Sequence, residues 1–385
     1  MFSHPVLLGG FRPFFLMAFV LGALLPLVWA LLLSGTLTLP PGAPTGLRWH
    51  AHEMLFGFGW AVLFGFLLTA SKNWVGVRGM HGGPLLIAVG LFLVERVTVL
   101  VAGGAPRGPV VFLLLNATGA YVIAYLVFTL VRYRARDTFP DNWVFVVALP
   151  VFLLAKNLTL DPTRHGLGTT LAIGLFRVAF VVMFERTIPQ FMKNAMSQEL
   201  PRRSWLDHGI KGLVLVAAFE AWLPSELAAA LLGLAAALLL GRLLTWKPQV
   251  AFRSFGIGVM YVGYAGLAVH LALAALTRSG VAVGRGALGT HVFTFVCMGL
   301  VIPSMLIRIA QGHTGRKPLF MRTDRLALGL MGVGALLRLV ATQLDAQHYN
   351  TYIAIASACW SACFIVIGLR VGPFLWKPRT DGKEH

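Results

Sequence analysis

Charge is what this sequence has least of. Only 12% of its 385 residues are Asp, Glu, Lys or Arg, and just 14 are acidic, whereas a soluble domain averages about a quarter charged. A water-soluble enzyme core is therefore excluded at the outset. Cysteine is nearly absent as well. The three present, Cys297, Cys359 and Cys363, all lie inside apolar runs, which reads as small buried hydrophobes and not as a disulfide framework. There is no alternation of apolar and polar residues in ~10-residue segments, so a membrane β-barrel is excluded. No polar stretch is long enough for a soluble second domain. The N-terminus has no basic leader followed by a small-residue cleavage site, so the first apolar run is read as a retained helix.

What fills the chain is hydrocarbon. Hydrophobic residues make up 57% and the mean hydropathy is +0.78. Apolar runs of the length needed to cross ~30 Å of hydrocarbon recur throughout. About twelve spans are predicted, at 14–34, 51–71, 84–104, 109–131, 141–160, 168–188, 205–222, 224–244, 254–276, 286–309, 324–344 and 352–372. Short Gly- and Pro-marked junctions such as "LPPGAPTG" and "WLPSE" separate them. The fold class is an all-α polytopic membrane protein, one helical bundle over residues 1–385. No internal repeat is evident, which removes one support for a transporter.

The net charge of +18 invites a nucleic-acid reading, but the basic residues are dispersed between apolar runs and form no basic domain. They act as topology determinants. With the N-terminus placed inside, the outer loops carry only Arg48, Arg107, Arg164, Arg278 and Arg285, and 22 of the Lys and Arg residues fall on the cytoplasmic side. Both termini are therefore expected in the cytoplasm.

That orientation assigns depths. The segment "RWHAHEMLFGF" puts His50, His52 and Glu53 at the outer mouth of the second span. His270, His291 and Arg338 fall at similar depth on the ninth, tenth and eleventh spans, by helical rise. Polar groups in hydrocarbon are costly and usually mark a working site. Imidazole is the common ligand of haem iron and copper, so His50, His52, His270 and His291 are candidate metal ligands, with His50 or His52 paired to His291. His50 and His52 are two residues apart and point to opposite helix faces. Glu53 is a candidate proton donor, a partner of a ligating histidine, or a ligand. Arginines at mid-depth, where Arg96 and Arg177 fall, would suit haem propionates. Arg338 is a candidate cofactor-binding residue whose bland alternatives are snorkelling or pairing with Glu95 or Glu220. Residue types alone leave haem and copper unseparated. A second constellation on the cytoplasmic side combines Arg12 of "GFRPFFL" with Arg308 and His313 of "RIAQGHTGR" as a possible cofactor or anion pocket. Its bland alternative is the ordinary basic end of a cytoplasmic loop. His385 is read as a tail residue.

"GFRPFFL", "WHAHEMLFGF" with "GFLLTASKNWVG", the "IP…N" segment after the sixth span, His291 and "GHTGR" together resemble the NnrS family over nearly the whole chain. The "IPQFMKNAM" segment is more polar and basic, at Gln190 and Lys193, than the resemblance leads one to expect. The resemblance implies a bacterial inner-membrane protein containing haem, of b type in the absence of a CxxCH attachment motif, and copper. It also implies association with the nitric oxide response and denitrification. Three functions stay open on it. The chain could detoxify nitric oxide, reducing it to N₂O with quinol electrons and with Glu53 in proton transfer. It could bind nitric oxide as a haem sensor without turnover. It could be a transporter or metal-handling protein using the same histidines. Lipid is an expected partner and nucleic acid is not.

Overall fold

Backbone groups placed in hydrocarbon must find their partners within the chain, and apolar runs of this length can do so only as helices. The computed structural model describes residues 4–104 and 108–382 and is about 80% helix, with no strand among those residues. Arg107 and His385 lie outside the described residues.

Among the described residues, eleven helices are long and apolar enough to cross a membrane. In chain order they and one short helix are α1 (Phe11–Leu33), α2 (Gly46–Val75), α3 (Gly82–Ala102), α4 (Pro109–Arg132), α5 (Pro140–Leu160), α6 (His165–Met196), α7 (Ser204–Ala217), α8 (Ser225–Thr245), α9 (Phe255–Arg278), α10 (Leu288–Gly312), α11 (Arg322–Leu344) and α12 (Tyr349–Trp376). Each predicted span has its helix, but the one expected at 205–222 is short. The α-helical part of α7 is 14 residues, about 21 Å at 1.5 Å per residue, and a single 3₁₀ turn, Glu220–Trp222, completes it before Pro224.

Short as it is, α7 still reverses the chain. Its beginning meets late α6 and late α8: Lys211 lies 3.1 Å from Glu185, and Asp207 lies 2.9 Å from Arg242. Its far end, Glu220, meets Arg177 of early α6 at 2.8 Å and Arg278 at the end of α9 at 3.1 Å. The alternation of direction therefore continues through α7 as it would through a full-length span.

The chain forms two compact units, interleaved in sequence. The first comprises residues 1–169, 306–319 and 364–385, and the second comprises 170–305 and 320–363. In the first, α1 packs on α2, α3 on α4, and α4 on α5. The α1–α2 contact is close because Gly65 has no side chain. A Cβ there would lie 2.8 Å from the Phe15 ring, the small-residue device of membrane helix pairs. In the second unit α9 packs on α8 and α10, and a Cβ on Gly266 would lie 2.6 Å from Val296. Large apolar side chains such as Val97, Leu113 and Leu369 stay exposed, as residues facing acyl chains do. All three cysteines are unpaired.

Three helices depart from α-helical register. π-helical segments occupy Glu53–Phe58 in α2, Val292–Gly299 in α10 and Leu337–Ala341 in α11. π-Helix accounts for well under 1% of residues in general and clusters at functional positions. Here the first begins directly after His52, the second directly after His291, and the third contains Arg338.

Candidate functional site

In the first unit, His52 is fully buried and Glu53 is 5% exposed. The Nδ1 of His52 lies 2.9 Å from Glu53 Oε1, and Arg96 of α3 donates from Nη1 to the same oxygen at 2.7 Å. The other terminal nitrogen of Arg96 pairs with Glu95, which also holds Lys156 of α5 at 2.6 Å. Lys156 donates in turn to the carbonyl of Leu115. Two carboxylates and two cations thus form one neutral buried chain across α2, α3 and α5. Gly57, one turn beyond Glu53, makes room for it, since a Cβ there would lie 3.0 Å from both Arg96 Nη1 and Glu53 Oε2.

An ion-paired Glu53 is an acceptor, so the shared proton of the His52–Glu53 contact resides on Nδ1. The remaining ring nitrogen, Nε2, then carries a lone pair. It is buried with no hydrogen-bond partner, and a buried polar atom left unsatisfied requires an explanation. His50 behaves differently. It is half-buried and its ring stacks on Trp29 of α1 with centroids 4.3 Å apart, on a different side of the helix from His52 as their spacing predicts.

In the second unit, His270 is also buried, but both of its nitrogens are engaged. Nδ1 lies 2.6 Å from the carbonyl of Gly289, and Nε2 accepts from Arg177 Nε at 2.8 Å. Arg177 goes on to Glu220, which Arg278 also reaches. As arranged, His270 has no nitrogen left for a metal and belongs to a structural network. His291 and Arg338 are neighbours, with 3.2 Å between His291 Nδ1 and an Arg338 terminal nitrogen.

The constellation expected on the cytoplasmic side is mainly a clamp on the C-terminal segment. Arg12 donates to the carbonyls of Leu375 and Lys377, 2.7 Å each, capping the end of α12 whose last carbonyls lack helical partners. Arg379 donates to the carbonyl of His313 at 3.0 Å, and Thr380 bonds Thr314 and Gly315. His313 itself packs against Phe11 with ring centroids 5.4 Å apart. Burial, with Arg379 and Lys72 nearby, pushes its imidazole down to about 4. Arg308 is half-buried on α10.

The sequence marks Arg96, Lys156 and Arg177 as basic residues within spans and Glu95 or Glu220 as candidate partners of Arg338. The structure instead pairs these five with one another and with Glu53, His270 and Arg278. Their signal was present: titratable residues inside apolar runs, whose cost in hydrocarbon demands pairing.

The NnrS protein family matches residues 5–379. This chain belongs to the NnrS family. Membership fits a membrane protein of the nitric oxide response. No curated protein matches the chain.

The residues can be tested against the haem and copper that the family resemblance implies. Among the described residues no group of three or more His, Cys, Asp or Glu is arranged to hold a metal ion, so a ready-made three-ligand copper site is not found. An apolar groove of about 420 Å³ between α8, α9 and α10, lined by Leu243, Phe252, Tyr261, Gly266, Val292 and Val296 among others, carries no nitrogen donor for an axial bond. One residue does fit. A metal-bound histidine ordinarily donates its second N–H to a carboxylate and keeps the other nitrogen for the metal, and His52 with Glu53 has that arrangement.

Proposed function

We propose that this NnrS-family chain handles nitric oxide in the bacterial cytoplasmic membrane at a metal, haem iron or copper, bound through His52 Nε2. The observation that carries the reading is the buried, unpartnered nitrogen of a histidine whose other nitrogen is held by a carboxylate. Haem iron can be held by a single histidine, and His52 would be that residue. When bound, the metal supplies the coordination position at which nitric oxide is taken up. The chain's own part is to fix the imidazole. Glu53 sets its tautomer, Arg96 sets Glu53, and Glu95 with Lys156 neutralises Arg96. The charge distribution of the loops and the alternation maintained through α7 support placing both termini in the cytoplasm.

Glu53 is read as a positioning residue. A carboxylate that accepts from both Arg96 and His52 on one oxygen is poorly suited to release a proton, so the geometry favours nitric oxide binding without turnover over reduction to N₂O with quinol electrons.

The test is an optical spectrum of detergent-purified protein, oxidised, reduced, and reduced with nitric oxide, with iron and copper measured on the same sample. Near-stoichiometric metal and a band that moves with nitric oxide are expected in the wild type and lost in a folded His52→Ala variant. Metal and spectrum unchanged in that variant would remove His52 from the site. Nitric oxide consumption with quinol present would restore the reductase reading.

A further inference from the structure

We infer that Arg338 and His291, at the start of α10 and near the end of α11, form a binding site for a small planar monoanion, a carboxylate or an oxyanion. The inference is independent of any metal at His52.

Arg338 is only 6% exposed, and no acidic residue pairs with it among those described. Its neighbours are His291 Nδ1 at 3.2 Å and the ring of Tyr349, 5.7 Å from the guanidinium carbon to the centroid. Two carboxylates of the same unit are occupied by other groups. Glu220 holds Arg177 and Arg278, and Asp345 holds His348 and Tyr352. One terminal nitrogen of Arg338, Nη1, is buried with no hydrogen-bond partner. A buried guanidinium in a membrane helix ordinarily has a counter-charge, and among the described residues no carboxylate is paired with this one.

The contact with His291 does not supply one either. The same Nδ1 lies 2.9 Å from the carbonyl of Ala287, and a single ring nitrogen cannot both donate to that carbonyl and accept from Arg338. In the tautomer that satisfies Ala287, His291 gives Arg338 no acceptor, so the Tyr349 side chain is its one remaining polar neighbour among the described residues and Nη1 has no partner. A guanidinium fork without a carboxylate matches a carboxylate or a bent oxyanion.

The surroundings also suit an anion. α10 starts at Leu288, within one turn of His291, so its N-terminal N–H groups and dipole add positive potential. The loop before it is fastened over the same end of α11. The amide of Arg285 donates to Gln343 Oε1 at 2.6 Å, and Gln343 Nε2 returns a bond to the Arg285 carbonyl at 3.3 Å. Gly284 and Gly286 take positive φ, +64° and +60°, values that a residue with a side chain adopts only under strain. A π-helical turn at Leu337–Ala341 carries Arg338 itself.

The experiment is a formate titration of full-length protein in detergent at constant ionic strength, with gluconate as the balancing anion. It is followed by thermal midpoint and by line broadening of ¹³C-formate. A saturable rise in midpoint and saturable broadening are expected in wild type and in the control Arg253→Gln at an exposed position away from the site, and neither in Arg338→Gln. If Arg338→Gln does not fold, Arg338→Lys decides, because it keeps the charge and loses the fork; a dissociation constant at least tenfold weaker is expected. An undiminished response in Arg338→Gln or an unchanged constant in Arg338→Lys would overturn the site. Repeating the titration on protein from haem-limited cells separates the source of the anion. Binding in both preparations supports a free anion, and binding only in the depleted one supports a carboxylate belonging to a bound cofactor. Absence in both overturns the proposal.

Discussion

His52 and Glu53 are consecutive in sequence, yet their side chains meet, Nδ1 to Oε1 at 2.9 Å, where α2 passes from α-helical to π-helical register. On a helix, neighbours in sequence do not ordinarily face each other. The contact exists because Arg96, 43 residues away, holds the carboxylate in place. Replacing Glu53 with Gln should keep the fold and weaken metal retention about 10–100-fold, the usual cost of losing such a supporting partner. Metal content measured after dialysis against a graded chelator series checks this, and unchanged retention would detach Glu53 from the site.

Arg96 sits between two buried carboxylates, so its loss strands charge. Arg96→Met is expected to destabilise the protein by about 3–5 kcal/mol, the range for breaking a buried pair by removing one partner. Combining it with Glu53→Gln should cost less than the sum of the two, because the stranded charge is then gone. Thermal midpoints of the two singles and the double in one detergent give the coupling, and strict additivity would contradict a shared network.

His270 is assigned to structure. His270→Ala leaves Arg177 Nε and the Gly289 carbonyl without their His270 partner and should cost about 1–3 kcal/mol, while metal content and spectrum stay as in wild type. A change in the spectrum of a folded variant would return His270 to the metal site.

Arg12 is likewise structural. Arg12→Met should loosen the C-terminal segment, seen as faster proteolysis or hydrogen exchange beyond Phe374, and leave the optical spectrum unmoved. A shifted spectrum with an intact C-terminus would mean that Arg12 contacts a cofactor instead.

His313 lies just past the end of α10, and its imidazole titrates at about 4 in the fold, below the ordinary 6.5. The unfolded chain therefore takes up the proton first as pH falls. Stability should decline from pH 6.5 towards 4 and level off below that, in addition to any other titrations. His313→Phe should flatten that part of the profile, read as midpoint against pH. Equal slopes in the two proteins would show that His313 is not the group responsible.

Much of the fold was legible beforehand because hydrocarbon imposes a simple rule. Runs such as 84–104 and 109–131 had to be helices, and α3 and α4 lie almost on those residues. α7 escaped the rule. Its apolar composition met the length requirement only by including the turn at Glu220–Trp222, and ion pairs with α6, α8 and α9 allow a shorter helix to do the same work. The site was half legible. Titratable residues inside apolar runs stand out by cost alone, which singled out His52, Glu53, His270, His291 and Arg338. Nothing in their spacing told a satisfied histidine from an orphaned one.

That distinction is where sequence and tertiary structure part. The sequence by itself determined a helical membrane protein, its helices and the residues too polar to sit in lipid unattended, because transfer energies depend on composition and length. Only the tertiary structure decided that His270 spends both nitrogens on Arg177 and Gly289 whereas His52 keeps one, and that Arg96 has two carboxylates whereas Arg338 has none. Those outcomes depend on which side chains from distant helices arrive within 3 Å of one another, and hydrogen bonds are decided at that range.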